Sequence, residues 1–490
     1  MLSALRQLLG QSVIYGFGSV AGSMVSFLLI PLYTHHLSPA AYGELEAILA
    51  TYQIGLILFA WGMASSLYGT YYGRCQDEEE RRTLVTTAIL MVLAVAGAMA
   101  ALGYWVAPQL SAWLPDLDVS HLRAVIGLAA LGAVGLLPLS ILRARQKPQL
   151  FVALTLTQLL LTVGLNLYHV GHLSMGVDGV LRSMAIVQGG LALVTLGGVF
   201  WKYPLRFSPS LAWTLLSWGG LHLPNSVAAW VIQLTDRYFL LWFTTATQVG
   251  VYTLGSKLGM MVMVGLATPF SLAWPAYMYA LAEKDPEGAP PIYAAALTYL
   301  MLAACIAFLG LSLFAPEIIR LIATDSYQGA GEVIPLLVLA SVLATAHPVF
   351  LTGVNLARRF GFYLLFTGVG AGINVGLNWL LIPRLGAMGA ALAKVASYAA
   401  VATVTYVIAQ RLQPIPYDWG RLGKLALACL GIYIAGHLAA MTGAWSFPLR
   451  VMAFLAFPLA LLGLGFFTAP EIRHFKRLLK RLLPGRAPAT

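Results

Sequence analysis

Residues 163–167 read VGLNL, and residues 375–379 read VGLNW. Each copy lies in an apolar stretch and precedes a glycine-rich turn, at 176–179 in the first case and 386–389 in the second. Tyr42-Gly43 recurs in a similar way as Val249-Gly250, and Pro138 recurs as Pro348, again about 210 residues apart. These shared spacings indicate an internal repeat.

The composition indicates that the repeat lies in a membrane. Of 490 residues, 59% are hydrophobic and only 10% are charged, whereas roughly a quarter of the residues in soluble domains carry a charge. At ~20 apolar residues per span, the chain has room for about 12 to 14 spanning helices. Its three cysteines lie far apart and show no metal-ligand spacing, so no metal site is expected.

Apolar segments and the charged or Gly/Pro breaks between them predict fourteen spans. The predicted starts lie near residues 9, 42, 83, 121, 149, 178, 213, 248, 291, 331, 360, 386, 421 and 446. The predicted fold class is therefore an all-α polytopic membrane protein, with two pseudo-symmetric six-helix bundles and two extra C-terminal helices. Six spans per repeat make the two halves enter the membrane in the same direction, an arrangement of many secondary transporters.

The predicted domains follow from this pattern. They are an N-terminal bundle at 1–207, a C-terminal bundle at 208–412, two additional helices at 413–468 and a basic amphipathic tail at 469–490. Apolar and basic residues take different faces of the tail, so we expect it to lie on anionic membrane lipid.

Most of the 29 Lys and Arg residues fall on the side of the membrane that holds the N-terminus. The opposite side receives only five, which are Arg123, Arg182, Arg320, Arg384 and Arg450. The excess of positive charge predicts that both termini are cytoplasmic. Because the basic residues are scattered between apolar segments, nucleic acid is not expected as a partner.

Two stretches resemble a known family. Residues 18–48 read GSVAGSMVSFLLIPLYTHHLSPAAYGELEAI, and residues 223–261 read LPNSVAAWVIQLTDRYFLLWFTTATQVGVYTLGSKLGMM. Both are similar to polysaccharide flippases of the multidrug/oligosaccharidyl-lipid/polysaccharide exporter superfamily. The resemblance covers residues 9–411 and consists of helix patterns without a catalytic motif.

The resemblance implies two bundles that alternate between inward-open and outward-open forms. It implies transport of an undecaprenyl-diphosphate-linked oligosaccharide from the inner to the outer leaflet of the bacterial cytoplasmic membrane. It also implies a polysaccharide polymerase or a glycosyltransferase as a partner, and no cofactor is expected apart from a coupling Na⁺ or H⁺.

Charged residues inside membrane spans are rare and often functional. Arg237, Lys257 and Lys394 fall inside predicted spans, so we expect them to face a central cavity and bind the diphosphate or acidic sugars. The alternative is that each pairs with a nearby acid or extends to the membrane interface.

Asp236, Asn374 and Asn378 form a candidate coupling-ion site. The two asparagines lie four residues apart and share one helix face. The resemblance carries further, because related lipid II flippases place a sodium site between spans 7, 11 and 12, and these three residues match its span-7 and span-11 positions. The sequence departs from that pattern at Asn378, an amide in place of a carboxylate, and Lys394 could itself supply the cation. A structural ion pair of Asp236 with Lys394 or Arg237 remains the alternative.

Glu44 and Glu46 follow the start of span 2 and are candidates for an outer gate. Interaction with the helix N-terminus is the alternative role.

Two other functions remain open at this point: a cation-coupled exporter of small molecules from the same superfamily, and an integral-membrane glycosyltransferase or ligase. Asp116 and Asp118 resemble a D-x-D sugar-nucleotide site, but no loop is long enough to form a catalytic domain.

Overall fold

The computed structural model describes residues 26–114, 117–439, 445–469 and 471–473. Every regular element in these ranges is helical, and no strand occurs among them. The α-helices are α1 (Ile30–His36), α2 (Pro39–Ala60), α3 (Met63–Gly73), α4 (Glu78–Trp113), α5 (Val119–Ala144), α6 (Pro148–Asn166), α7 (Gly176–Lys202), α8 (Pro209–Leu234), α9 (Asp236–Phe243), α10 (Ala246–Val262), α11 (Thr268–Lys284), α12 (Ala289–Leu313), α13 (Ala315–Ile322), α14 (Ala330–Leu356), α15 (Phe362–Leu385), α16 (Ala387–Leu412), α17 (Trp419–Ala439) and α18 (Ser446–Gly463).

Twelve helices in the described part of the chain are long and apolar enough to cross a membrane. All twelve begin within about five residues of a predicted start. The count of fourteen is not confirmed. The predicted first span lies mostly outside the described residues, as do Asp116 and nearly all of the basic tail. The predicted seventh span forms α8 and α9, which are not among the twelve; polar residues such as His222, Asn225 and Gln233 interrupt its apolar character.

Helix starts follow from local capping chemistry. Ser38 precedes Pro39 and accepts a hydrogen bond from the Ala41 N–H, which satisfies one free donor at the start of α2. Asp118 does the same for α5 by accepting from the Ser120 N–H, and this bond lowers the pKa of the Asp118 carboxyl. The sequence therefore encodes these boundaries in residues outside the apolar runs.

The predicted second span is not one continuous helix. Trp61 and Gly62 both adopt left-handed backbone conformations, with φ of 48° and 63°, and they separate α2 from α3. The Trp61 indole N–H donates to the carbonyl of Leu216 at 3.3 Å, so the break directs the chain against α8. The break was not predicted, since a non-glycine residue rarely takes this conformation.

Equivalent helices pack in the two halves. In the first half α5 contacts α2, α4 and α7, and in the second half α14 contacts α10, α12 and α16. The turns that open α7 and α16 also correspond, because Gly176 and Gly386 both have a positive φ, of 61° and 54°. The packing follows the internal repeat, whereas the exact domain boundaries stay a prediction.

The last two helices form a separate pair against the second half. α17 and α18 pack on each other and on α12. The Arg450 guanidinium of α18 pairs with the Glu317 carboxylate of α13, at 2.5 and 3.0 Å, and also donates to the Leu313 carbonyl at 2.7 Å. A charged hydrogen-bonded pair therefore fixes the C-terminal pair to the rest of the chain.

Candidate functional site

Five charged side chains from four helices form a continuous ion-pair chain. Glu46 of α2 binds Lys257 of α10, with its Oε1 atom 2.5 Å from Nζ, and its Oε2 atom lies 3.8 Å from Nη2 of Arg237. Arg237 Nη1 lies 3.2 Å from Oδ1 of Asp236, and Oδ2 of Asp236 lies 2.5 Å from Nζ of Lys394. Three cations and two carboxylates give this ion-pair chain a net charge of +1.

A helix break positions the middle of the ion-pair chain. α8 ends at Leu234 and α9 begins at Asp236. Beside this break, the Gln233 carbonyl accepts hydrogen bonds from Lys394 Nζ at 3.0 Å and from Arg237 Nη1 at 3.3 Å. The main chain thus adds to the stabilisation of buried cations, which would be costly without such partners.

The three predicted substrate-binding cations have different surroundings. Arg237 and Lys394 are only 3% and 6% exposed, and their contacts are with the ion-pair chain. Lys257 also lines a cavity of about 340 Å³. Substrate binding by all three stays a prediction, and Lys257 has the geometry that fits it best.

The cavity lies in the first half, between α1, α2, α6 and α7, with Lys257 contributed by the second half. We call it the N-half cavity. Its polar lining is Ser26, Tyr33, Tyr52, Thr155, Gln158, Thr162, Asn166, Gln188 and Lys257. Hydroxyl and amide groups predominate, which suits a ligand rich in hydroxyl groups.

Hydrogen bonds hold part of the lining in place. The Tyr33 hydroxyl donates to Asn166 Oδ1 at 2.9 Å, and Asn166 Nδ2 donates to the Thr162 carbonyl at 2.7 Å. On the opposite wall, Gln188 Nε2 donates to the Tyr52 hydroxyl at 3.0 Å. The N-half cavity therefore has a preorganised polar wall on each side.

The candidate coupling residues form two groups. Asp236 is fully buried and contacts Arg237, Lys394 and the Tyr252 hydroxyl. Asn378 Nδ2 donates to Asn374 Oδ1 at 2.9 Å, so the asparagines bond to each other. The alternative of a structural ion pair between Asp236 and both neighbouring cations describes this geometry, while ion coupling stays a prediction.

The two gate candidates point to different partners. Glu44 accepts a hydrogen bond from Nδ1 of His121 at 2.7 Å, and this contact remains within the first half. Glu46 is 4% exposed and binds Lys257 and Arg237 of the second half. Only Glu46 therefore links the halves among these described contacts.

Two of the close approaches between the halves are made at glycines. In the first, which we call the α2–α10 crossing, an added Cβ would lie 1.9 Å from the Ala246 carbonyl oxygen at Gly43 and 2.0 Å from the Pro39 carbonyl oxygen at Gly250. Only glycine fits there, since real Cβ atoms do not approach backbone so closely. The second is the α3–α8 crossing, where a Cβ at Gly219 would lie 2.2 Å from the Trp61 carbonyl oxygen.

These two crossings lie toward opposite membrane faces. α2 and α10 meet near their N-terminal ends, whereas α3 runs along the N-terminal half of α8, from the Trp61–Gly62 break beside Gly219 to its own C-terminal end. At the latter face Arg74 also donates to Ser210 Oγ at 2.8 Å and to the Thr214 hydroxyl. The structure is thus closed at both crossings.

Sequence reasoning missed most of the cavity lining. Thr155, Gln158, Thr162 and Asn166 recur every three or four residues on α6 and so share one helix face. A polar face on an otherwise apolar spanning helix is the signal that would have found them. In the sequence pattern Asn166 serves only as a marker of the repeat.

A family model described as "Polysaccharide biosynthesis protein" matches residues 9–278. A search of curated protein sequences found no match to this chain.

Solved structures share the fold at low sequence identity. "Lipid II flippase MurJ, inward closed conformation" has a TM-score of 0.71 at 13% identity, covering 92% of this chain and 98% of that chain. The inward-facing structure of a multidrug resistance MATE family transporter of the MOP superfamily has a TM-score of 0.65 at 16% identity, covering 79% and 94%. The Vibrio cholerae MATE transporter VcmN in the bent form has a TM-score of 0.56 at 16% identity, covering 84% and 98%.

The family model covers more than half of the chain, and the fold is that of flippases and transporters of the superfamily that the sequence resembles. This chain belongs to the polysaccharide biosynthesis protein family.

Proposed function

We propose that this chain is a flippase that moves an undecaprenyl-diphosphate-linked oligosaccharide from the cytoplasmic to the outer leaflet. Three observations support the proposal: the family, the fold shared with a lipid II flippase, and a hydroxyl- and amide-lined cavity with a cation at its edge. A charged, sugar-bearing headgroup cannot cross hydrocarbon without a polar path. The prenyl chain would stay in lipid while the headgroup passes through the protein.

The position of Lys257 carries the proposal. Its ammonium lies 2.5 Å from Glu46 at the junction of the halves and also lines the N-half cavity. A diphosphate in the cavity would compete with Glu46 for this ammonium. Because Glu46 belongs to the first half and Lys257 to the second, that competition would weaken their link and favour opening of the α2–α10 crossing.

Alternating access would then open the two crossings in turn. Opening of the α3–α8 crossing would admit the headgroup from the predicted cytoplasmic side, and opening of the α2–α10 crossing would release it on the other side. Closure of both in one structure is what an intermediate between those states requires. The membrane potential and ion gradients are candidate energy sources.

Asp236 is the proposed coupling carboxylate, with Na⁺ or H⁺ as the ion and Asn374 and Asn378 as the neighbouring polar groups. Lys394 already occupies one of its oxygens at 2.5 Å. A sodium ion would therefore have to displace an ammonium, which supports Lys394 as a resident positive charge at this position. Faster transport with Na⁺ than without it would show that sodium makes this exchange, and equal rates would leave H⁺ as the coupling ion.

The cellular setting is part of the same proposal. The chain would lie in a bacterial cytoplasmic membrane with both termini in the cytoplasm, as its distribution of Lys and Arg predicts. A polysaccharide polymerase would consume the flipped glycan and glycosyltransferases would supply it.

The direct test is flipping of a lipid-linked oligosaccharide in proteoliposomes. Lys257→Gln should lower the rate at least about tenfold, because the loss of one charge-assisted hydrogen bond costs about 1.5–3 kcal/mol, whereas Lys257→Arg should retain most of it. Lys284→Gln is the matched control, since Lys284 is an exposed cation at the end of α11. Unchanged flipping by Lys257→Gln would refute the proposed site, and export of a lipophilic cation in place of glycan would favour the small-molecule exporter.

Alanine at Gly43 and alanine at Gly219 should have opposite effects on which side of the membrane reaches the N-half cavity. Gly43→Ala should disfavour closure at the α2–α10 crossing, and Gly219→Ala should disfavour closure at the α3–α8 crossing. Overpacking costs of about 1–3 kcal/mol correspond to roughly fivefold to hundredfold shifts between states. A maleimide-reactive Gln158→Cys, labelled in right-side-out and inverted vesicles, reports which side reaches the cavity.

The control for this pair is Gly73→Ala, because a Cβ there meets no atom within 4 Å. Alternating access would be contradicted if Gly43→Ala and Gly219→Ala changed labelling from the same side.

A further inference from the structure

A second concave site lies on the first half, away from the ion-pair chain and the N-half cavity. It is a groove of about 620 Å³ between α5 and α7, and it begins where both helices start. We call it the α5–α7 groove. Its mouth is formed by Ser120, His121, Arg123, Asp178 and Arg182.

Two guanidinium groups give the mouth a positive charge. Arg123 Cζ lies 4.5 Å from the centre of the Tyr104 ring, and its Nε atom is buried without a hydrogen-bond partner. In the described part of the chain, neither Arg123 nor Arg182 pairs with a carboxylate. The carboxylate at the mouth, Asp178, lies 3.3 Å from Nε2 of His121.

Below the mouth the groove is apolar. Gly127, Leu128, Leu131, Leu181 and Ala185 line it. A Cβ at Gly127 would meet no atom within 4 Å, so the glycine leaves open space in the floor. From Ser120 to Leu131 the helix rises about 16 Å, which is close to half of the ~30 Å hydrocarbon thickness. The groove thus has the depth of one leaflet.

Two guanidiniums without a carboxylate partner, at the mouth of an apolar groove, match one kind of molecule. The phosphate of a lipid headgroup accepts charge-assisted hydrogen bonds from arginine, and its acyl chain extends along the helices into the bilayer. We propose that the α5–α7 groove binds an anionic phospholipid, with the phosphate between Arg123 and Arg182 and one acyl chain over Gly127. The helix starts lie on the predicted outer side, so the lipid belongs to the outer leaflet. This site does not depend on the proposed transport function.

Native mass spectrometry of the purified full-length protein tests the site. The protein in detergent is titrated with phosphatidylglycerol and with phosphatidylcholine of the same acyl chains. Phosphatidylglycerol should bind more tightly, and each of Arg123→Gln and Arg182→Gln should weaken it about fivefold, the equivalent of ~1 kcal/mol per basic residue. Arg384→Gln, at another exposed arginine on the predicted outer side, should have no effect.

The apolar floor has its own test. Gly127→Phe should fill the groove and reduce phosphatidylglycerol binding while leaving the protein's melting temperature unchanged. Gly97→Phe is the matched control, because a Cβ at Gly97 on α4 also meets no atom within 4 Å and Gly97 lies outside the groove. Glycerol phosphate without acyl chains should fail to compete.

Three outcomes would overturn the proposal: equal binding of the two lipids, phosphatidylglycerol binding that both arginine variants and Gly127→Phe leave intact, or full competition by glycerol phosphate. A normal melting temperature of the variants separates loss of binding from loss of folding.

Discussion

The polar face of α6 and its counterpart on α15 have similar sequence patterns but different surroundings in the structure. On α6 the face comprises Thr155, Gln158, Thr162 and Asn166, and it lines a cavity of about 340 Å³. On α15 the corresponding positions are Thr367, Gly370, Asn374 and Asn378. Only Thr367 of this second set lines the neighbouring cavity, which holds about 120 Å³.

Side chains from neighbouring helices fill the second site. Asn374 and Asn378 are fully buried and bonded to each other. A Cβ at Gly370 would lie 2.4 Å from Cγ2 of Val401 and 2.8 Å from Cδ1 of Ile232. The polar pattern of one helix therefore does not decide whether a cavity forms, because the helices packed against it decide how much space remains.

The two halves therefore differ in what they contribute to the candidate site. The first half provides the polar space, and the second half provides the buried ion pairs that meet it through Lys257 and Glu46. If this division is correct, changes in the second half away from the cavity-lining Lys257 should mainly affect folding, and changes in the first half should mainly affect transport.

The largest expected effect on folding comes from Asp236→Asn. This change leaves the buried Lys394 without an acidic partner and leaves Arg237 with the more distant Glu46 alone. Losing one partner of a buried ion pair costs about 3–5 kcal/mol. Unfolding in mixed micelles with increasing SDS measures the loss. Removing Lys394 as well, in Asp236→Asn/Lys394→Met, should recover part of it, and a wild-type unfolding midpoint for Asp236→Asn would contradict a stabilising ion pair.

A smaller effect on folding should follow Gly370→Ala. The new methyl group would overlap Val401, whose branched side chain adapts poorly, so we expect a loss of about 1–3 kcal/mol. Gly372→Ala on the same helix is the control, because its Cβ meets no atom within 4 Å. Val401→Ala should restore stability to Gly370→Ala, and no rescue would show that the second site has room to spare.

The smallest effect on folding, within ~0.5 kcal/mol, is expected for Gln158→Phe in the N-half cavity. The ring has open space to occupy, yet it should reduce glycan flipping at least about tenfold by displacing the headgroup. Leu160→Phe controls for bulk on the same helix, since Leu160 is 68% exposed on another face. A fully active Gln158→Phe protein would place the headgroup path elsewhere.

The sequence predicted the helices better than their breaks. Apolar runs and charged or glycine-rich connections located every described spanning helix within a few residues, because membrane helices are defined by composition. The left-handed pair Trp61 and Gly62 could not be predicted, since it depends on the approach of α8, which lies far away in the chain.

The candidate site was predicted in its residue types more than in its contacts. Charges inside spans identified Arg237, Lys257 and Lys394, but only the packing of α2 against α10 revealed Glu46 as the shared partner. The polar face of α6 is visible in the sequence, but its uncharged side chains cost far less to place in a membrane than charges do, so they do not by themselves predict a functional site.

The α2–α10 crossing has a mechanical consequence. Its closest surfaces are main-chain atoms around Gly43 and Gly250. Glycine has no side chain, so main-chain contacts at Gly43 and Gly250 can separate and re-form without a change of side-chain rotamer at either residue. We therefore expect these two residues to offer little resistance to opening. Beside the crossing Glu46 pairs with both Lys257 and Arg237 of the second half, and of these two cations it is Lys257 that lines the N-half cavity, where an incoming anion could weaken the pairing.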